Sequence, residues 1–342
     1  MEEVSIIGLD LAKNVFQAHG ATADGAAVFR RKLSRGQLLK FIADQPPCVV
    51  AMEACASAHH WGRAIGNLGH EVRLIPPAYV KPFVKRQKND MADAEAIAEA
   101  ASRPTMRYVA VKSEAQQAAA MAYRTRDLLV RQRTQTINAL RAHLAEQGIV
   151  APTGAAHVGR LAVLIEGDES MLPAAVRDLA RLLLDQIAGL AEKIADLDAE
   201  LRRRASADET ARHLMTIPGV GAVTAAAITT FAPPMETFSK GRDFAAWVGL
   251  TPRRHSSGGK DRLGRTSKMG QRDIRRLLIV GAVAVVRWAA RKGAPEGSWL
   301  ARMLARKSKM LVAVALANRM ARTAWALMRK GEDYRDPAMA AA

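Results

Sequence analysis

Four carboxylates in the first third of the chain stand where they could hold metal. Asp10 ends an apolar run, VSIIGL, that reads as a strand, and Glu53 ends a second run, Val49-Val50-Ala51-Met52. Asp90 and Asp93 lie in NDMADAEAIAEA, where a spacing of three puts both on one face of a helix. Acids converging from strand ends and a helix supply what hard divalent cations need: oxygen ligands, negative charge and open positions for phosphate. Two such ions could clamp the attacking and leaving oxygens of a phosphodiester. Each acid also has a plainer reading. Asp90 could be an N-cap, Asp93 a first-turn acid facing the helix dipole, and Glu53 a strand-end turn residue. Asp10 resists such a reading, because an acid abutting so apolar a run needs a cation or hydrogen-bond donors.

A second constellation is the small-residue, basic stretch Thr251-Pro252-Arg253-Arg254-His255-Ser256-Ser257-Gly258-Gly259-Lys260, which reads as a loop. Gly258 and Gly259 permit close approach of a phosphate. Arg253, Arg254 and Lys260 could hold its oxygens and stabilise charge developing during transfer. A serine there could attack phosphorus if a base, metal or neighbouring cations assisted its ionisation, and a serine in a flexible loop need do no chemistry at all. His255 could act as a general base or contact phosphate. Arg262, Lys268, Arg272 and Arg275 extend the basic run beyond it.

Charge gives these cations a context. The 342 residues carry 51 Lys+Arg against 33 Asp+Glu, a formal net charge of +18. Residues 240–330 hold 22 Lys/Arg and 4 Asp/Glu, leaving 29 of each sign in the rest of the chain. A surplus confined to one nearly acid-free segment points to a phosphate-binding surface. With 7 Phe, 5 Trp and 4 Tyr in the whole chain, base-stacking platforms are a poor expectation, and backbone and shape contacts a better one. A hydrophobic content of 49% excludes wholesale disorder. Two cysteines, Cys48 and Cys55, are too few for a disulfide framework or a thiolate zinc site. The start MEEVSIIGLD lacks the basic region of a secretory signal, and Leu277–Val286 is too short to span a bilayer. These features predict a cytosolic protein of about two domains with a polyanionic partner and no membrane.

The elements that would position these groups follow from pattern. Strands are expected at 4–9, 15–19 and 27–32, with Asp24-Gly25 as a hairpin turn. A helix-like stretch opens at Ser34 and stops at Pro46-Pro47. A helix at 61–68 then leads to a strand at 71–75. Strands in a hairpin followed by alternating helices and strands form an α/β layer pattern. Residues 113–148 read as one long helix stopped by Gly148, and 152–173 as a looser connection. Leu183, Ile187, Leu190, Ile194, Leu197 and Leu201 form a heptad seam that suits either an antiparallel pairing with the long helix or dimerisation. From about Asp208 the chain is helix-rich. Ile217-Pro218-Gly219-Val220-Gly221 before AVTAAAITT resembles a helix-hairpin-helix element, in which Gly219 and Gly221 would let backbone N–H groups approach phosphate.

Taken together, IIGLDLAKNVFQAHG, VVAMEACASAHHW, KRQKNDMADAEAIAEA, IPGVG and FAAWVGLTPRRHSSGGKDRLGRTSKMGQRDIRRLL resemble, in order and over nearly the whole chain, the DEDD transposases of bacterial insertion sequences. These are the bridge-RNA-guided recombinases related to the Piv-type DNA invertases. The resemblance implies a RuvC-like (ribonuclease H-like) α/β domain over 1–112, a helical coiled-coil arm over 113–207, a mainly α transposase domain over 208–332 and a tail over 333–342. It implies a Mg²⁺ (or Mn²⁺) site at Asp10, Glu53, Asp90 and Asp93, and a catalytic serine at Ser257 that joins DNA covalently. The implied partners are donor and target double-stranded DNA, a structured non-coding guide (bridge) RNA, and further copies of the chain as a dimer assembling to a tetramer. The implied setting is a bacterial cytoplasm, at the nucleoid. Cys55-Ala56-Ser57 stands where many members carry Thr-Gly, and Ser256 is one residue from the matched serine. A metal-dependent nuclease that resolves branched DNA, and a non-enzymatic DNA- or RNA-binding protein, are the alternative readings.

Overall fold

The computed structural model describes residues 3–85, 89–167 and 172–335, apart from the side chain of Asp261. Arg86 and Lys88 of the KRQKND motif and the tail beyond residue 335 lie outside the described residues. The chain divides into two compact units, 1–117 and 118–342.

The first unit is built on a five-stranded sheet. Strands β1 (Ile6–Leu11), β2 (Val15–Ala21) and β3 (Ala27–Ser34) precede helix α1 (Leu38–Ala43) and β4 (Val49–Glu53). Helix α2 (Ala58–Gly66), β5 (Glu71–Ile75), α3 (Pro77–Val80) and α4 (Asp90–Ala101) follow. The strand order is β3-β2-β1-β4-β5; the first three strands are antiparallel, and β1-β4-β5 run parallel. A mixed α/β sheet with this order is consistent with the RuvC-like layer that the resemblance implies.

Period-two alternation sorts the strand residues between two helical layers. Ile7, Leu9, Val50, Met52 and Leu74 share a core with Leu38 and Ile42 of α1 and Trp61 and Ile65 of α2. Phe16 meets Trp61 edge to face at 5.2 Å. Ile6, Ala51 and Ile75 point the other way and pack with Ile97, Ala98, Ala100 and Ala101 of α4. The alanine-rich helix has little side chain to hold it off the sheet, which matters for the acids below. Two starts differ from the sequence pattern. Helix α1 starts at Leu38 and not near Ser34: Gln37 holds the N-cap position without a side-chain bond to the helix, its Oε1 instead accepting from the Ser34 N–H and hydroxyl. Helix α2 starts three residues early, at Ala58.

The long helix α5 (Glu114–Ala145) has no internal Gly or Pro and gives way to Gly148, whose φ is 78°. Beyond it, α6 (Val158–Glu166) occupies what the sequence pattern reads as a loose connection, held by buried Leu161 and Ile165. Helix α7 (Ala174–Ala207) turns its seam inward. Ile137, Leu140 and Leu144 of α5 share one core with Ala180 and Ile187 of α7, and Arg126 pairs with Asp198 through Nη2 and Oδ2 at 3.2 Å. The two helices therefore run antiparallel within one chain.

The remainder of the second unit is helical save for one hairpin. Helices α8 (Glu209–Met215), α9 (Ala222–Phe231) and α10 (Gly241–Val248) lead to strands β6 (Pro252–Ser257) and β7 (Lys260–Thr266). Helices α11 (Arg272–Lys292), α12 (Trp299–Arg306) and α13 (Lys309–Lys330) complete it. Leu278, Ala282 and Val286 of α11 and Ala317, Ala321 and Ala324 of α13 join Ile228, Phe231 and Phe244 in its core. Among the described residues no helix is long and apolar enough to cross a membrane.

Candidate functional site

Two regions carry the residues singled out by sequence, one in each unit. In the first, Gly8 and Asp10 lie on one face of β1. A Cβ at Gly8 would run into the Ala94 carbonyl and lie 2.6 Å from the Ala98 nitrogen, so only glycine lets α4 seat this closely. Asp90, Ala94 and Ala98 repeat every four residues and stack along that helix face. The glycine that seats the helix thus brings its first turn to Asp10. Carboxylate oxygens of Asp10, Asp90 and Asp93 lie within 4.8 Å of one another.

Asn89, not Asp90, caps α4, accepting from the Ala92 N–H at 2.8 Å. That frees Asp90 from capping duty and leaves both acids in the first turn, where the helix dipole favours them. Glu53 is not part of the trio. It shares the α4 side of the sheet with Ala51, by alternation along β4, and its charge reaches Asp10. Burial, then repulsion from Asp93, Asp90 and Glu53, pushes the Asp10 carboxyl up to about 6, against a partial offset from the Leu11 backbone N–H. Carboxylates crowded to that extent suit a divalent cation with oxygen ligands. Asp10, Asp90 and Asp93 would hold it, with Glu53 beside them.

Around this centre the structure adds residues that sequence reasoning passed over. Gln17 is registered opposite Asp10 on β2, so its side chain emerges on the same face. Gly8 carried a legible signal, since a glycine inside an apolar strand marks close backbone approach. After Glu53 the chain turns through Ser57 at φ 72°, a left-handed conformation that non-glycine residues rarely adopt. It falls in the segment where Cys55-Ala56-Ser57 departs from the family pattern.

In the second unit the stretch read as a loop is a β-hairpin. Gly258 and Gly259, at φ 56° and 75°, form its two-residue turn, the geometry that matches strand twist. Register pairs Ser257 with Lys260, His255 with Arg262, and Ser256 with Asp261. Facing partners share a side of the ribbon and successive residues alternate. Ser257, His255, Lys260 and Arg262 therefore occupy one face, and Ser256 and Arg254 the other. The His255 ring lies over Gly264 on that first face, where a Cβ would sit 2.9 Å from it. Residues 252–260 are all exposed, and Thr251 just before the strand is half-buried.

The other basic candidates divide by what they touch. Arg275 donates to the Val248 carbonyl at 2.9 Å and the Met269 carbonyl at 3.1 Å, which ties the hairpin base to α10. Arg253 donates to the Ser267 carbonyl at 3.2 Å, and Lys268 has a left-handed φ of 54° while its backbone N–H bonds Gly249. Lys268 and Arg272 are exposed. Gly219 and Gly221 lie in the turn between α8 and α9. Gly219, at φ 88°, is packed on α11, where a Cβ would lie 2.8 Å from the Gly281 carbonyl. Gly221, at the start of α9, is exposed with open space about it.

An α/β domain with clustered aspartates, followed by a basic helical unit, has the organisation of a DNA transposase. Residues 7–148 match the family described as "Transposase", of the DEDD type of IS110, and residues 211–295 match the "Transposase IS116/IS110/IS902 family". The chain is 46% identical over 336 residues to the transposase y4pF/y4sB of Sinorhizobium fredii, covering 98% of this chain and 87% of the relative. It is 43% identical over 331 residues to the transposase for insertion sequence element IS1328 of Yersinia enterocolitica, covering 97% and 98%. To the transposase for IS1111A of Coxiella burnetii it is 38% identical over 336 residues, covering 98% and 92%. The chain belongs to the IS110/IS116 family of DEDD transposases. It is an enzyme that cleaves and joins DNA, and its DEDD domain uses divalent metal.

Proposed function

We propose that this transposase breaks and rejoins DNA through Ser257, with Mg²⁺ (or Mn²⁺) held by Asp10, Asp90 and Asp93 beside Glu53, at sites chosen by a structured guide RNA. The register of the β6–β7 hairpin carries this reading. It gives Ser257 the face that bears Lys260, Arg262 and His255, where a phosphate would be gripped beside the hydroxyl. Ser257 Oγ forms a bond to phosphorus as a phosphodiester P–O bond breaks, and the released deoxyribose oxygen takes a proton. A second strand's hydroxyl then displaces the serine, so no bond energy is lost to water. Cations on the Ser257 face stabilise charge on the non-bridging oxygens. When bound, a divalent ion supplies Lewis acidity and charge neutralisation.

The acid-poor segment 240–330 supports a large polyanionic ligand, and the donor and target duplexes together with a guide RNA would form one. Gly221, Arg253, Arg254, Arg262, Lys268 and Arg272 are proposed to contact it, with Arg275 and Gly219 supporting them through packing. The antiparallel α5–α7 pair acts in this reading as the coiled-coil arm of a homodimer that pairs into a tetramer, which light scattering with DNA bound would test. Ser257→Ala is expected to abolish covalent protein–DNA adducts on denaturing gels while leaving duplex binding intact. Adducts that persist in Ser257→Ala and vanish in Ser256→Ala would move the chemistry to the other face of the ribbon. Free ends with no adduct in the unsubstituted protein would favour the plain nuclease, for which the acidic centre alone suffices. Sequencing of RNA co-purified with the protein tests the guide.

A further inference from the structure

We infer that Trp288 and the cations of the last turns of α11 form a stacking platform for an unpaired base, so that the second unit takes single-stranded nucleic acid as well as duplex. This rests on the reading of that unit as nucleic-acid-binding, and is independent of the chemistry at Ser257. The Trp288 indole is 58% exposed, the one exposed tryptophan among the described residues. It takes no part in the core. Ile274, Leu278, Ala282, Val286 and Ala289 form the buried stripe of α11, and Trp288 lies on the flank of that stripe, about 100° round the helix from Ala289. Val280, Ala284 and Trp288 follow one another at spacings of four, and Arg291 and Lys292 continue that line one turn further.

Charge selects the occupant. Between Ile274 and Lys292 the helix has five cations and no acid. An apolar protein partner would match the indole but would have to desolvate Arg287, Arg291 and Lys292 without return. A nucleotide satisfies both groups at once: the base stacks on the indole and its phosphates meet the cations. Bases in a duplex are already stacked on each other, so the gain comes from an unpaired one. Arg291 and Lys292 also offset the negative end of the helix dipole, which accounts for the cations but not for an indole left in water. The scarcity of aromatics in the sequence argues against a platform of several rings, and a single exposed ring is enough for one base.

Fluorescence anisotropy of the full chain with labelled oligo(rU), oligo(dT) and a duplex of equal length tests this. Trp288→Ala is expected to weaken single-strand binding about tenfold, with duplex affinity changed less than about twofold and an unaltered melting curve. Trp288→Phe should retain most of the affinity and Trp288→Leu should behave as Trp288→Ala, because stacking needs a ring and burial does not. A loss larger on oligo(rU) than on oligo(dT) identifies RNA as the source of the base, and the converse identifies DNA. Unchanged single-strand affinity in Trp288→Ala, an equal loss on duplex, full affinity in Trp288→Leu, or a change only in oligomeric state would each overturn the inference. Absence of salt-dependent duplex binding by the unsubstituted protein would instead overturn the reading on which it rests.

Discussion

Lowering the pH should release metal from the acidic centre before it harms the fold, and Asp10 sets the midpoint. Its carboxyl is pushed up to about 6 from 3.8 by burial and by repulsion from Asp93, Asp90 and Glu53. A divalent cation needs the ionised form, so affinity follows the ionised fraction. With a midpoint near 6 that fraction falls from about nine-tenths at pH 7 to about one-tenth at pH 5. Apparent Mg²⁺ affinity should therefore drop about tenfold over that interval, a change of about 1.4 kcal/mol. Calorimetric titration in buffers of different ionisation enthalpy should count about half a proton released per Mg²⁺ at pH 6 and almost none at pH 8. Asp10→Asn should bind Mg²⁺ more weakly at pH 7, by a margin that narrows toward pH 5, and lose this proton release. The metal-free protein shows the opposite sign. A carboxyl whose pKa rises on folding contributes full stability below about pH 4, and that contribution is lost as pH rises through 6. The raw shift corresponds to about 3 kcal/mol, which solvent screening of a half-exposed group reduces to about 1–2 kcal/mol. Asp10→Asn should thus stabilise the metal-free protein by that amount at pH 8 and not at pH 4, as read by urea unfolding. Equal Mg²⁺ affinity at pH 5 and pH 7, or undiminished proton release in Asp10→Asn, would refute the reasoning.

Two packing predictions test how the sites are held. Gly8→Ala should force β1 and α4 apart, costing about 1–3 kcal/mol and weakening Mg²⁺ binding; a folded variant with unaltered Mg²⁺ affinity in calorimetry would contradict the role given to that contact. Gly281→Ala should drive a methyl group into the Gly219 carbonyl and cost the second unit a similar amount, about 1–3 kcal/mol by urea unfolding, whereas Gly221→Ala, with open space around it, should leave unfolding unchanged.

Much of the first unit is legible from local pattern. The apolar runs VSIIGL and Val49–Met52 and the Asp24-Gly25 turn are short-range signals, and the strands lie close to where they point. Helix α6 is not legible, because a nine-residue helix held by Leu161 and Ile165 has too few turns to display a period. The basic stretch 252–260 reads as a loop because Ser, Gly and Arg are weak strand formers. It is a hairpin because two glycines can adopt left-handed angles at the turn and the paired backbones satisfy each other.

The acids and the serine show where sequence stops. Residue type and position alone put Asp10 and Glu53 at strand ends, Asp90 and Asp93 on one helical face, and a surplus of cations in the last quarter of the chain. Whether the acids meet depends on how closely α4 approaches β1, which is a matter of long-range packing decided at Gly8, Ala94 and Ala98. Ser256 and Ser257 are equivalent as letters and become different only when pairing with β7 turns them to opposite faces. Trp288 is likewise one tryptophan of five until folding buries or covers the others and leaves its ring in water among cations. Composition and periodicity act between neighbours along the chain, whereas convergence, facing and exposure are properties of residues that only folding brings together.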